Sequence, residues 1–268
     1  MRHLKRYSQL FENSQELTQD QREWLDKCSV GGWELNSETG LVDVDGTFDC
    51  ENQNLTDFKG VRFGSVKGYF NCPNNQLTSL EGAPKSVGVT FNVYNNRLVS
   101  LDGAPQIVGL SFNCANNSLT SLEGAPQSVG NYFDCSNNSL TSLVGAPEKI
   151  VGSFNCSNNS LTSFKGAPRK LSEGFNFSRN SLTSLEGAPR VGYSSYLDGI
   201  DNPISEKSIK GVIKRMSDKE ISLEQAVAEY WKSIPKEDRP YLAKHHTGLS
   251  PEDKRGYEAL LKFRDKII

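Results

Sequence analysis

Histidine is nearly absent from this chain: His3, His245 and His246 are the only three in 268 residues. Metal centres and acid–base catalysts draw heavily on that residue, so the raw material for either is thin. His245 and His246 are adjacent, and neighbouring positions on a helix diverge by about 100°, which reads as solvated surface rather than a paired site. Long apolar runs are missing as well. No stretch approaches the ~20 residues of a membrane-spanning helix, and no membrane association is expected. The N-terminus reads Met1-Arg2-His3-Leu4-Lys5-Arg6, with charge where a secretory signal would be apolar. A reducing cytoplasm is therefore the expected compartment. Nor is there an excess of basic charge. The formal net charge is −2, which supplies no global field for nucleic acid. With no nucleophile–base pair or metal constellation in view, the chain reads as a non-enzyme, with no metal and no cofactor.

What is present is a repeat. Phenylalanine recurs at Phe48, Phe70, Phe91, Phe112, Phe133, Phe154 and Phe175, with Leu197 as a degenerate eighth, at spacings of 21 or 22 residues. One unit runs from Phe112 through Asn113, Cys114, Asn116-Asn117, Leu119 and Leu122 to Gly124-Ala125-Pro126. Alternation predicts a short strand with Phe112 and Cys114 facing inward and Asn113 outward. Asparagine recurs at Asn75, Asn96, Asn117, Asn138, Asn159, Asn180 and Asn202. A buried amide there could satisfy backbone groups of its own and the neighbouring coil, forming a ladder. Gly-Ala-Pro then breaks regular structure before the chain returns. A single unit cannot bury its apolar face, so the units must stack, giving a sheet roughly 35–40 Å long at about 4.8 Å per strand.

These residues resemble the leucine-rich-repeat family, whose consensus is L-x-x-L-x-L-x-x-N-x-L. From Val151 through Phe154, Cys156 and Asn159 to Leu161 every consensus position is filled. Val87, Val108 and Val129 precede their phenylalanines by four residues instead of three, which implies an extra residue at the start of most strands. The unit length and the proline in the return segment look like the short bacterial and phage type. The resemblance implies a leucine-rich-repeat solenoid: one curved parallel β-sheet of about eight short strands with an extended convex side. It divides the chain into a leader and cap over 1–43, the solenoid over 44–204, and a C-terminal α-helical region over 205–268. Thr18-Gln19-Asp20-Gln21 is a capping-box pattern ahead of Trp24, Leu25 and Cys28, with Gly31-Gly32 as a stop. Trp33, Leu35, Leu41 and Val44 suggest a hairpin. Helices are expected from Ser205, from Ser222 with Gln225 as its capping partner, and from Ser250.

Cys50, Cys72, Cys114, Cys135 and Cys156 all stand two residues after their phenylalanine, where Val93 and Phe177 stand in other units. The slot reads as a small apolar filler, not a metal ladder or a disulfide. Bacterial ubiquitin-ligase effectors also join short leucine-rich repeats to a helical C-terminal part. Their chemistry needs a nucleophilic cysteine, and residues 157–268 contain none.

Function is expected on the outward, concave face of the sheet. Its monotonous stripe of Asp49, Asn71, Asn92, Asn113, Asp134, Asn155, Asn176 and Asp198 is flanked by tyrosines, Thr90 and Ser153. Tyrosine beside small polar groups suits recognition, so Tyr69, Asn92, Tyr94, Asn113, Tyr132, Asp134 and Asn155 are the candidate contacts for a protein partner. Acidic and amide groups make nucleic acid an unlike ligand for this face. A second resemblance concerns the start. Leu10-Phe11-Glu12 looks like the cleavage site of prohead proteases in tailed phages, and the repeat wording is similar to repeat proteins of tailed phages. That implies cleavage after Glu12, packaging in a phage head or residence in the host cytoplasm, and a host or virion protein as partner. The rival reading makes the body a structural spacer. Its C-terminal helices would then touch nucleic acid or an acidic partner through Lys254, Arg255, Lys262, Arg264 and Lys266.

Overall fold

The computed structural model describes residues 16–192, 196–202 and 206–222, together with Gln225, Ala226 and Glu229. The repeats coil into a parallel β-solenoid of about seven turns. Each turn contributes one strand to each of two nine-stranded sheets. The first, here the Phe sheet, aligns Phe48, Phe70, Phe91, Phe112, Phe133, Phe154, Phe175 and Leu197 in parallel register. The second, the return sheet, aligns Val66, Val87, Val108, Val129, Ile150, Leu171 and Val191.

The return sheet corrects two expectations. A single sheet was expected, but the segment after Gly-Ala-Pro pairs with its neighbours as two-residue strands such as Ser128–Val129 and Lys149–Ile150. The valines four residues ahead of each phenylalanine are therefore not an extra residue on the Phe strand. They are the inward residues of a separate strand, turned toward the same core. Val151, the apparent consensus position, is 46% exposed, and Ile150 is buried in its place. A corner lies between the two strands, and Gly109 shows why it is tight. A Cβ there would stand 1.9 Å from the carbonyl oxygen of Gly88 in the preceding coil.

Between the sheets the phenylalanine rings form a column with centroids 5.1–5.7 Å apart. Leu77, Leu80, Leu98, Leu101, Leu119 and Leu122 close the third side, all fully buried. The turn after each second leucine needs its glycine: Gly124 has φ +91°, and a Cβ would meet Leu101 O at 2.6 Å.

The Asn-Asn pairs form two ladders. The second member of each pair lies inside the coil. Asn96 Nδ2 donates to Cys72 O, Val93 O and Tyr94 O at 2.9–3.3 Å, and its Oδ1 accepts the N–H of Leu77 from the previous coil at 3.0 Å. The same pattern runs from Asn75 to Asn202. The first member adopts left-handed backbone, at φ 53–58° for Asn74, Asn95, Asn116, Asn137 and Asn158. Asn95 donates to Asn74 outside the coil at 2.8 Å, and Asn116 to Asn95 in turn. At the C-terminal end Arg179 and Asp201 replace this amide ladder with an ion pair at 3.6 Å.

Both ends are covered. Helix α1, Gln19–Cys28, starts at the expected capping box, with reciprocal bonds between Thr18 and Gln21. It lays Trp24 edge-on to Phe48, with ring centroids 5.1 Å apart. Trp33–Asn36 and Leu41–Val44 form the antiparallel hairpin, and Ser29–Val30 pairs antiparallel with the first Phe strand. Helix α2, Glu206–Asp218, buries Val212, Ile213 and Met216, and Ser217 Oγ accepts the N–H of Val191 at 2.8 Å. Ser222 and Gln225 make reciprocal capping bonds.

Candidate functional site

The outward face of the Phe sheet presents two columns. The residues one before each phenylalanine are Thr47, Tyr69, Thr90, Ser111, Tyr132, Ser153, Gly174 and Tyr196; those one after run from Asp49 to Asp198. Strand alternation turns both columns away from the core, and most of these residues are partly or fully exposed.

The acid–amide column has a local structural duty. The Oδ1 atoms of Asp49, Asn92, Asn113, Asp134, Asn155 and Asn176 accept the backbone N–H two residues later, at 2.9–3.1 Å. Each is an Asx turn ending its strand, which explains the monotony of the stripe. Only the second polar atom of each side chain is free for anything else.

At the fifth to eighth rungs the face hollows into a slot of about 500 Å³. Tyr132 and Tyr196 stand at its two ends, with Ser153 and Gly174 between them and Asn155, Asn176, Ser172 and Glu173 around the rim. The floor is recessed because the two rungs between the tyrosines carry serine and glycine. Tyr132 Oη donates to Asp134 Oδ2 at 2.7 Å, and Asn155 Nδ2 donates to the same oxygen at 3.2 Å. Ser153 Oγ accepts the Gly174 N–H at 3.0 Å and donates to Glu173 at 3.3 Å. Burial, then the charge of Asp134 and the bond to it, push the Tyr132 phenol far above its ordinary range. The hydrogen bond to Asp134 sets the direction of the hydroxyl.

Of the seven contacts expected from sequence, Tyr132 and Asn155 line the slot, and Asp134 accepts hydrogen bonds from both without lining it. Tyr69, Asn92, Tyr94 and Asn113 lie on earlier rungs, outside the slot. Tyr69 and Tyr94 are exposed, and Asn92 and Asn113 hold Asx turns. Sequence reasoning missed Tyr196, Glu173 and Gly174. Their signal was available: tyrosine recurs one residue before the phenylalanine position at Tyr69, Tyr132 and Tyr196, three rungs apart each time. Glu12, His3, His245, His246, Lys254, Arg255, Lys262, Arg264 and Lys266 lie outside the described residues.

The cysteine column needs correction. Cys50 and Cys72 are joined in a disulfide, with Cα atoms 5.0 Å apart, whereas Cys28, Cys114, Cys135 and Cys156 are buried free thiols. Neighbouring rungs in parallel register bring equivalent inward positions about 4.8 Å apart, inside the 4.4–6.8 Å range of disulfide Cα separations. The filler reading holds for the other slots and fails for this pair. Burial raises the thiol pKa of Cys114, Cys135 and Cys156, so none is a ready thiolate.

A smaller hollow of about 350 Å³ beside α1 is lined by Asp20, Glu23, Trp24, Lys27, Gln53 and Lys59. There Lys59 Nζ lies 5.3 Å from the Trp24 ring centroid. Among the described residues no group of three or more His, Cys, Asp or Glu is placed to hold a metal ion, and no helix is long and apolar enough to cross a membrane. A comparison of the chain with models of protein families, with curated proteins and with solved structures found no match.

Proposed function

We propose that this chain is a non-catalytic recognition module of the short leucine-rich-repeat type, of phage origin, which holds a host or virion protein on the outward face of its Phe sheet. The observation that carries the reading is the slot between Tyr132 and Tyr196. It is a concavity in that face, walled by aromatic rings and rimmed by polar groups with unused hydrogen-bonding capacity. Solenoids offer such extended faces for binding, and rigid rungs keep the contacts preorganised. The Cys50–Cys72 bridge supports residence in a particle that leaves the reducing cell over permanent residence in cytoplasm.

Replacing Asn113, Asp134 and Asn155 with arginine would be a poor test, because each also caps a backbone N–H. A photo-crosslinking side chain at Ser153, on the slot floor, is cleaner, with the same side chain at exposed Ser128 of the return sheet as control. Irradiation of the full chain in its native lysate should give one discrete polypeptide adduct from position 153 and none from 128. Equal labelling from both positions, or none from 153, sinks the proposal.

A further inference from the structure

The slot has a sign as well as a shape. Across the two outward columns of the Phe sheet the charged residues are Asp49, Asp134 and Asp198, with no lysine or arginine at any of the sixteen positions. In the slot lining the one charged side chain is Glu173. A cationic ligand would meet the complementary charge there, and an anionic one the like charge.

The wall chemistry points the same way. The register is continuous through the slot: Phe133 N–H donates to Ser153 O, Phe154 N–H to Gly174 O and Phe175 N–H to Tyr196 O, at 2.7–3.0 Å. Tyr132 and Tyr196 are therefore three rungs apart, about 14 Å along the sheet, with two small residues between them. The hydrogen of Tyr132 Oη is committed to Asp134, so the hydroxyl offers a lone pair and the ring its face. Asn155 Oδ1 is committed to Ser157. Open to a visitor are the ring faces, the phenol oxygens, the Asn176 amide nitrogen and the Glu173 carboxylate, of which the one charged group is anionic. That set favours a positive charge, held over a ring face and near an anion. The chain shows the first half of this arrangement itself, with Lys59 over Trp24.

We propose that the Tyr132–Tyr196 slot receives a cationic side chain, arginine in preference to lysine, presented by a polypeptide partner. The inference rests on the reading of this face as a protein-recognition surface and names its chemistry. Arginine is preferred because its planar guanidinium stacks on a ring while its N–H groups reach Glu173. Glu173 is exposed, and among the described residues its one hydrogen-bond partner is Ser153 at 3.3 Å, which leaves acceptor positions on the carboxylate.

The test uses the full-length chain and fluorescein-labelled hexapeptides of alternating Gly-Arg, Gly-Lys, Gly-Ser and Gly-Glu, with unlabelled maltohexaose as a neutral competitor. Anisotropy should show binding of Gly-Arg, weaker binding of Gly-Lys and none of Gly-Glu or Gly-Ser, with affinity falling as salt is raised. Gly174→Tyr should plug the slot. Its backbone is not left-handed, a Cβ there meets Ser153 Oγ at 3.2 Å, and tyrosine already occupies this column on three other rungs. Gly174→Tyr should weaken Gly-Arg binding by about tenfold or more, Tyr196→Ala by about two- to fivefold because the ring is exposed, and Glu173→Gln by several-fold. If Gly174→Tyr fails to fold, Ser153→Tyr plugs the same space. Undiminished Gly-Arg binding to a folded plugged variant overturns the proposal, as does equal binding of Gly-Ser or displacement by maltohexaose. If Gly-Arg does not bind while the side chain at position 153 still captures a polypeptide, the cation is wrong and the recognition surface stands. Failure of both removes both.

Discussion

The two Asn ladders differ by one residue in sequence and by several kilocalories in expected consequence, and Asn95 and Asn96 make the sharpest comparison. Asn96 is 9% exposed. If Asn96→Ala removed only redundant hydrogen bonds, the cost would be small, because Cys72 O, Val93 O and Tyr94 O keep other donors in Asn75, Asn117 and the Asn74 N–H. The N–H of Leu77 is different. Its one partner is Asn96 Oδ1, and Leu77 is fully buried. Leaving that donor unsatisfied costs about 1–3 kcal/mol, and weakening the three shared acceptors adds about 0.5–1.5 kcal/mol. Asn96→Ala should therefore destabilise by about 2–4 kcal/mol. Asn95→Gly removes two side-chain ladder bonds, both exposed to solvent, while accepting the left-handed backbone at φ 54° without strain. Its cost should stay below about 0.5 kcal/mol. Urea unfolding followed by circular dichroism measures both, read as a midpoint shift at unchanged slope. Equal midpoints for the two variants would refute the ladder argument, as would Asn96→Ala within about 0.5 kcal/mol of the wild type.

Other consequences are as direct. Gly124→Ala forces a Cβ against Leu101 O and a side chain onto left-handed backbone, and should cost at least about 1–3 kcal/mol by the same assay; a neutral result would mean that the turn relaxes. Non-reducing peptide mapping should recover Cys50 linked to Cys72, with Cys28, Cys114, Cys135 and Cys156 unreactive to a thiol reagent until the chain is unfolded. Reduction should lower stability by about 3 kcal/mol, the chain-entropy value for a 22-residue separation. The Tyr132 phenol is raised mainly by burial, so above the ordinary tyrosine pKa of about 10 the unfolded chain loses a proton that the folded chain keeps. Stability should then fall as pH climbs past about 10, toward the folded value. Tyr132→Phe should flatten that alkaline decline, and an unchanged profile would place the titration elsewhere.

Much of this fold was legible because its determinants are local and repeated. The 21-residue period, the inward Phe-x-Cys alternation, the asparagine at each bend and the glycine of Gly-Ala-Pro each restate one backbone requirement in every coil. A stack of coils repeats those requirements in space. The Thr18–Gln21 cap, the Trp33–Val44 hairpin and the helix after Ser205 were readable for the same reason, since capping and pairing act over a few residues. The return sheet was not readable. Two-residue strands such as Ile107–Val108 are too short to show an alternation of their own, and they exist only because seven neighbours lie in register beside them. Cys50 and Cys72 met the same limit. Twenty-two residues apart in sequence, they become neighbours when their rungs stack, and the bridge follows from that register. The binding slot is the clearest case. Tyr132, Ser153, Gly174 and Tyr196 each look like ordinary variation within a unit, and Asp134 like one more member of a monotonous stripe. Stacking at about 4.8 Å per rung sets the two rings at opposite ends of a gap and closes the Tyr132–Asp134 hydrogen bond. The sequence determined what each coil looks like; only the tertiary structure decided what successive coils make together.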